Sequence, residues 1–220
     1  MKRKRGWIYG VGEVDMEYQH QEFHIVNGKR KLKWMCPIYD TWKQMLRRVY
    51  SDKLHEKFPT YSNVKVCDEW LKLSNFYSWM SSIDWKDYNG KKMQLDKDFI
   101  LRGNKLYCPE YCAFIPHQVN SFVKLKPLFA KDLPLGVVEK PLSGGGVTYE
   151  AACKDPFKRY RRYLGYFSTP KEAHETWRKT KHSYACELAE SGLVKDPRVK
   201  EALKQMFSYE EWYNLTPSDT

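Results

Sequence analysis

The four residues Thr169-Pro170-Lys171-Glu172 constrain the fold more than any other stretch of the chain. A Thr hydroxyl that accepts from the N–H three residues on, and a Glu carboxylate that reaches back to the Thr N–H, form a reciprocal helix cap. Proline between them suits the first helical position, where its missing N–H costs nothing. The helix that starts here keeps an apolar stripe through Ala173, Trp177, Tyr184 and Leu188 to about Glu190. Ahead of it, KRYRRYLGYF (158–167) reads as a strand. LGVVEKP (135–141) and VTYEAACKD (147–155) read as two more, joined by the turn Leu142-Ser143-Gly144-Gly145-Gly146. Three strands and a helix over residues 133–190 form a small α+β unit that folds alone only marginally. Residues 191–220 add a short helix, DPRVKEALKQMF (196–207), and a polar, acidic tail.

The preceding segment, residues 1–127, reads as a second domain of mixed type. EFHIVNGKRKLKW (22–34) predicts a hairpin, because Asn27-Gly28 sits between two short alternating runs. PIYDTWKQMLRRVY (37–50) predicts a helix with Ile38, Trp42, Met45 or Leu46, and Val49 on its buried face. Residues 51–65 read as irregular. CDEWLKLSNFYSWMSS (67–82) predicts a second helix, striped by Trp70, Leu73, Phe76 or Tyr77, and Met80. These stripes are core packing rather than ligand contacts. From 93 the pattern is strand (QLDKDFI), long loop (LRGNKLYCPEY), strand (CAFIP) and helix (HQVNSFV), before a linker at 124–134. Hydrophobic residues at 42% and aromatics at 15% suffice to build such cores, which excludes wholesale disorder.

Charge narrows the partner. Lys and Arg number 38 against 27 Asp and Glu, a net +11 that attracts polyanions. No run of 18 apolar residues is present, so no membrane is expected among the partners. The basic start, Lys2 to Arg5, has no apolar stretch behind it, so a secretory signal is not expected and a reducing cytoplasm is. Those residues are either a phosphate-seeking arm or a solubilising tail. The densest basic cluster is Lys158, Arg159, Arg161 and Arg162, interleaved with Tyr160 and Tyr163 and preceded by Lys154. Strand alternation puts Lys158, Tyr160 and Arg162 on one face and Arg159, Arg161 and Tyr163 on the other. Tyr163 and Trp177 are expected to pack sheet on helix, and Arg159 and Arg161 are expected to be turned away from that helix, an assignment that strict alternation with Tyr163 opposes. Lys158 and Arg162 are the alternative binding set. A free basic face can lie in a major groove, where Arg meets guanine edges and Lys meets phosphates. Exposed Tyr among Arg also suits single-stranded bases, which keeps RNA open.

LDKDFILRGNKLYCPEYCAFIPHQVN resembles the core of phage HNH (His-Asn-His, ββα-metal) homing endonucleases, and NVKVCDEWLKLSNFYSWM resembles a stretch recurrent in phage HNH-like proteins. LGVVEKP to KTKHSYACELAE, above all YLGYFSTPKEAHETW (163–177), resembles the ethylene-response-factor type of DNA-binding domain. The resemblance implies a degenerate ββα-metal domain followed by a sheet-type DNA-binding domain, in a phage protein acting in the bacterial host cytoplasm on double-stranded DNA. It implies metal ligands at Asp96, Asp98 and Asn120, a loop-bracing Asn104, and Mg2+ as cofactor of an active site. The family's general-base His falls at Lys97, and the usual Asn before the second strand is Tyr111. An ammonium flanked by two carboxylates is held protonated and makes a poor base. His117 is the nearest replacement in sequence. Three functions stand open: a DNA-binding protein that has lost catalysis, an active Mg2+-dependent nicking enzyme, and a regulator or counter-defence factor binding a host protein or RNA. Cys36, Cys67, Cys108 and Cys112 are the only candidate zinc set. With no second tight pair beside Cys108 and Cys112, they read as buried free thiols and zinc is not expected.

Overall fold

The computed structural model describes residues 7–124, 133–158 and 160–208. The candidate residue Arg159, the Lys2–Arg5 cluster, most of the expected linker and the final tail lie outside the described residues. The chain divides into two compact units, one running to Phe114 and the other starting at Ile115. Both mix helices with small sheets, so the fold class is α+β.

The first unit opens with two short strands, β1 (Trp7–Ile8) and β2 (Gly12–Glu13), paired antiparallel. A hairpin follows, β3 (Gln21–Val26) and β4 (Lys29–Met35), in antiparallel register from Val26 opposite Lys29 to Gln21 opposite Met35. Its turn residues have φ of 51° at Asn27 and 70° at Gly28, the left-handed pair that a two-residue hairpin turn needs. Helix α1 (Pro37–Tyr50) buries Ile38, Tyr39, Trp42, Met45, Leu46 and Val49. Both of the alternatives at 45 and 46 therefore point inward. The segment expected to be irregular holds a one-turn helix, α2 (Asp52–His55), and a tight turn at Pro59–Tyr61. Strand β5 (Lys65–Val66) comes next.

The helix expected over 67–82 is broken in two. A tight turn at Asp68–Leu71 precedes α3 (Leu73–Ser81), with Lys72 extended between them at φ −93°, ψ 129°. Tertiary partners cause the break. Trp42 Nε1 donates to the Trp70 carbonyl at 2.7 Å, which takes that oxygen out of a helical ladder. Asp15 caps the new helix start from a distant segment, accepting from Ser74 N at 2.9 Å and Ser74 Oγ at 2.5 Å. Trp42, Trp70, Leu73, Phe76 and Met80 are all buried to within 1% of full enclosure, and burial of each such apolar side chain contributes about 1.5–3 kcal/mol.

Three further strands close the unit: β6 (Gln94–Asp96), β7 (Leu106–Tyr107) and β8 (Ala113–Ile115). β6 pairs with β8. β7, inside the segment expected to be only loop, pairs in parallel with β5, Lys65 opposite Leu106 and Val66 opposite Tyr107. The order strand, loop, strand is therefore present, but β6 is three residues long and ends at Asp96 rather than continuing to Ile100.

The second unit holds α4 (His117–Val123), the sheet strands β9 (Val137–Pro141), β10 (Val147–Lys154) and β11 (Arg161–Phe167), then α5 (Pro170–Glu190) and α6 (Pro197–Gln205). The sequence puts the domain boundary at 127–133, after α4. The break falls earlier because α4 is tied to this unit. Gln118 Nε2 donates to Pro156 O at 2.9 Å, Lys181 Nζ donates to Phe122 O, and the Phe122 and Phe207 rings lie 6.3 Å apart. The sheet is antiparallel in the order β11-β10-β9. Thr169 Oγ1 accepts from Glu172 N at 3.2 Å and Glu172 Oε2 accepts from Thr169 N at 3.2 Å, forming the reciprocal cap of α5. Helix meets sheet closely at Gly136, where an added Cβ would stand 2.1 Å from Trp177 Cγ and where φ is +81°.

Candidate nucleic-acid interface

The two faces of the β9–β11 sheet differ in chemistry. Val137, Ala151, Tyr149, Leu164 and Phe167 face α5 and pack with its Ala173. Residues directly opposite each other in an antiparallel pair share a face. Lys154 lies opposite Arg161, Ala152 opposite Tyr163, and Glu150 opposite both Tyr166 and Val138. Lys140 lies opposite Thr148 on the same side. The face away from the helix therefore carries Lys140, Lys154 and Arg161 and one carboxylate, Glu150, with Tyr163 and Tyr166 beside them. Lys140 Nζ and Arg161 Nη2 approach Glu150 at 3.5 and 3.8 Å. Both contacts are long and their cations are partly exposed, so each contributes at most about 1 kcal/mol. Tyr163 and Tyr166 are 54% and 57% exposed, and their rings meet edge to face at 5.3 Å.

Tyr163 was expected to pack on α5, and it does not. A bulge between Ala151 and Ala152 shifts the pairing with β11, so that Leu164 becomes the extra residue. The bulge interrupts strict alternation: Tyr163 and Tyr166, three apart, share the open face, and Leu164 turns to the helix. Arg161 faces away from the helix. Arg162 faces toward it, and its Nη1 donates to Tyr184 Oη at 3.4 Å. The strand also starts later than expected. Lys158 and Tyr160 sit in a turn organised by Asp155, whose Oδ1 accepts from the N–H groups of Phe157 and Lys158, each at 2.9 Å. These N–H groups hold the Asp155 carboxyl below its usual range, Lys158 contributing most. Lys158 and Tyr160 are exposed at the rim of the sheet rather than on either of its faces. Sequence reading missed Lys140, Glu150 and Tyr166. Alternation within VTYEAACK was the available signal for Glu150.

In the first unit, Asp96, Lys97, Asp98 and Asn104 come together. Asp96 Oδ1 accepts from Asp98 N at 3.0 Å and Phe99 N at 2.9 Å, a side-chain turn that ends β6. The two carboxyls hydrogen-bond each other. Burial, then the Asp98 carboxyl beside it, pushes Asp96 up to about 6. Burial pushes Asp98 upward as well, but the hydrogen bond from Asp96 and the Lys97 charge outweigh it and hold Asp98 below the usual carboxylate range. Lys97, 7% exposed, donates to Asp98 Oδ2 at 3.1 Å and to Asn104 O at 2.9 Å. Asn104 fastens the loop: its Nδ2 donates to Lys97 O at 2.6 Å and Leu106 O at 2.7 Å, and its Oδ1 accepts from Leu106 N at 3.1 Å.

The oxygens that the resemblance assigns to a divalent ion are engaged with protein groups in this arrangement. One oxygen of Asp96 is spent on backbone donors, the two carboxyls are joined to each other, and an ammonium already sits on Asp98. Among the described residues no group of three or more His, Cys, Asp and Glu side chains is arranged to hold a metal. His117 and Asn120 lie on α4 in the second unit. His117 Nδ1 is 3.4 Å from Ser121 Oγ, and Asn120 is buried in the helix interior face. None of the four candidate zinc cysteines is in a disulfide. Burial pushes the Cys67 thiol up to about 11 and raises those of Cys108 and Cys112, so they stay protonated near neutrality. Cys67, Cys108 and Cys112 lie within electrostatic reach of one another, whereas Cys36 lies beside Tyr18.

No family model matches the chain, and no curated protein or solved structure was found to match it.

Proposed function

We propose that the chain is a DNA-binding protein of the phage HNH-like kind, acting through the open face of the β9–β11 sheet and not through catalysis. The observation that carries this reading is the set Lys154, Arg161, Tyr163 and Tyr166 exposed, with Lys140 half-buried, on a sheet face that no helix covers among the described residues. Sheet strands can read a duplex groove, where Arg161 would meet base edges and the lysines would meet phosphates. The net charge of +11 supplies the long-range attraction. A nicking enzyme has less support: Lys97, at the base position of the resembling family, is buried and engaged as a donor on both of its contacts. The exposed Tyr163 and Tyr166 favour one second reading, stacking with unpaired bases of single-stranded DNA or RNA.

The test is fluorescence anisotropy with labelled duplex and single-stranded oligonucleotides, using the natural protein and the double variant Lys154→Ala/Arg161→Ala. Duplex binding weakened at least tenfold in the variant, with an unchanged circular dichroism spectrum, supports the proposal. Equal binding by the two proteins refutes it. A preference for single strands that falls on Tyr163→Ala would move the assignment to unpaired nucleic acid.

A further inference from the structure

The β3–β4 hairpin of the first unit is a second candidate surface, and its geometry is independent of the sheet in the other unit. Every residue from Lys29 to Trp34 is exposed. A two-stranded hairpin is marginal in water by itself, and β4 leaves its outer residues open, so the hairpin is suited to an external partner. Register assigns its faces. His24 lies opposite Lys31, Val26 opposite Lys29, and Glu22 opposite Trp34, on one side. Phe23 lies opposite Leu32 and Ile25 opposite Arg30, on the other. Lys33, the extra residue at the bulge, is neutralised by Glu22 at 2.7 Å. Lys29 and Lys31 make no ion pair among the described residues, and the Arg30 guanidinium lies 3.8 Å over the Phe23 ring. Ile25, near the tip, is 70% exposed, Leu32 47% and Trp34 45%.

We infer that this hairpin is a β-ribbon that grips duplex nucleic acid, inserting into a groove with Lys29 and Lys31 on the phosphates. A two-stranded ribbon matches the width of the major groove. Lysine is depleted from protein–protein interfaces, and three cations in a row at 29–31 argue against a protein partner on this surface. The left-handed Asn27-Gly28 turn keeps the tip narrow, and the exposed side chains of Ile25 and Leu32 are then available for apolar contact with base edges such as the thymine methyl.

The experiment measures duplex affinity of the full chain against salt for three proteins: natural, Lys29→Ala/Lys31→Ala, and Lys154→Ala/Arg161→Ala. Each phosphate contact contributes about 0.9 to the slope of log affinity against log salt, so the hairpin variant should lose about 1.8. Amide hydrogen exchange across residues 23–32 should slow when duplex is added to the natural protein. A hairpin variant with the natural slope overturns the inference, and so does an unprotected hairpin in the complex. Loss of slope in the sheet variant alone sinks the ribbon and leaves the sheet standing. Loss in the hairpin variant alone does the reverse. A natural protein that binds no duplex overturns both, as a hairpin that instead mediates self-association or protein capture overturns this one.

Discussion

Replacing Lys181 by Met should remove a pH dependence from the stability of the second unit. Lys181 lies on α5 with 6% exposure. Its Nζ donates to Phe122 O at 2.5 Å, sits 3.5 Å over the Phe122 ring and 5.5 Å from that of Phe207. Burial is the main cause that brings its pKa down from 10.5 to about 8, opposed by the nearby Cys153 and assisted by Lys154. The folded state thus binds its proton less tightly than the unfolded state. Below pH 8 both states are protonated and the cost of the buried charge is carried in full. Between pH 8 and 10.5 the folded state sheds the proton while the unfolded state keeps it, so stability rises with pH. A shift of this size corresponds to about 3 kcal/mol. At pH 7 the variant should lie within about 2 kcal/mol of the natural protein, because it loses the buried charge and also leaves Phe122 O short of its donor. The decisive quantity is the difference between the two proteins, in which the buried thiols and phenols that titrate in the same range largely cancel. Urea unfolding followed by far-UV circular dichroism, from pH 7 to 10.5, measures it. The natural protein should gain about 3 kcal/mol on the variant over that window. A difference that stays flat would show that Lys181 keeps its charge at no cost and would refute the desolvation argument.

Two further outcomes are expected. Thr169→Ala removes the hydroxyl that accepts from Glu172 N, and should lower stability by about 1 kcal/mol in the same unfolding assay. Supercoiled plasmid incubated with Mg2+ or Mn2+ should remain uncut by the natural protein. Nicking that appears only in Lys97→His would show that one missing group separates this scaffold from an enzyme, whereas nicking by the natural protein that is lost in Asp96→Ala would overturn the non-catalytic reading.

Much of the local structure was legible. The start of α5, the Asn27-Gly28 hairpin, the buried stripe of α1 and the three strands of the second unit each rest on contacts within a few residues, which a sequence displays directly. The α+β class follows from those elements. The candidate interface was legible in part. Arg161 and Lys154 were named, but Tyr163 was turned to the wrong side, and Lys140, Glu150 and Tyr166 were not seen. Alternation rightly put Tyr163 on the face of Arg161, and the error lay in which face packs on α5; the bulge at Leu164 then sets Tyr166 beside Tyr163, and a bulge is decided by how β11 must sit against β10 and α5 together.

The same division holds across the molecule. By itself the sequence determined the caps, the turn with two left-handed residues, the helical stripes and the excess of positive charge, because each depends on covalent geometry or on short-range hydrogen bonding. Only the tertiary structure decided where β6 stops, why 67–82 breaks at Lys72, that α4 joins the second unit, and that Lys97 is enclosed between Asp98 and Asn104. Each of these outcomes depends on a backbone or side-chain group finding a partner that neighbouring sequence does not specify: Asp15 for the N-terminus of α3, the Trp42 indole for the Trp70 carbonyl, and Lys181 for the carbonyl of Phe122. Buried polar groups must be satisfied wherever the chain brings them, and that requirement is met only after distant segments have packed.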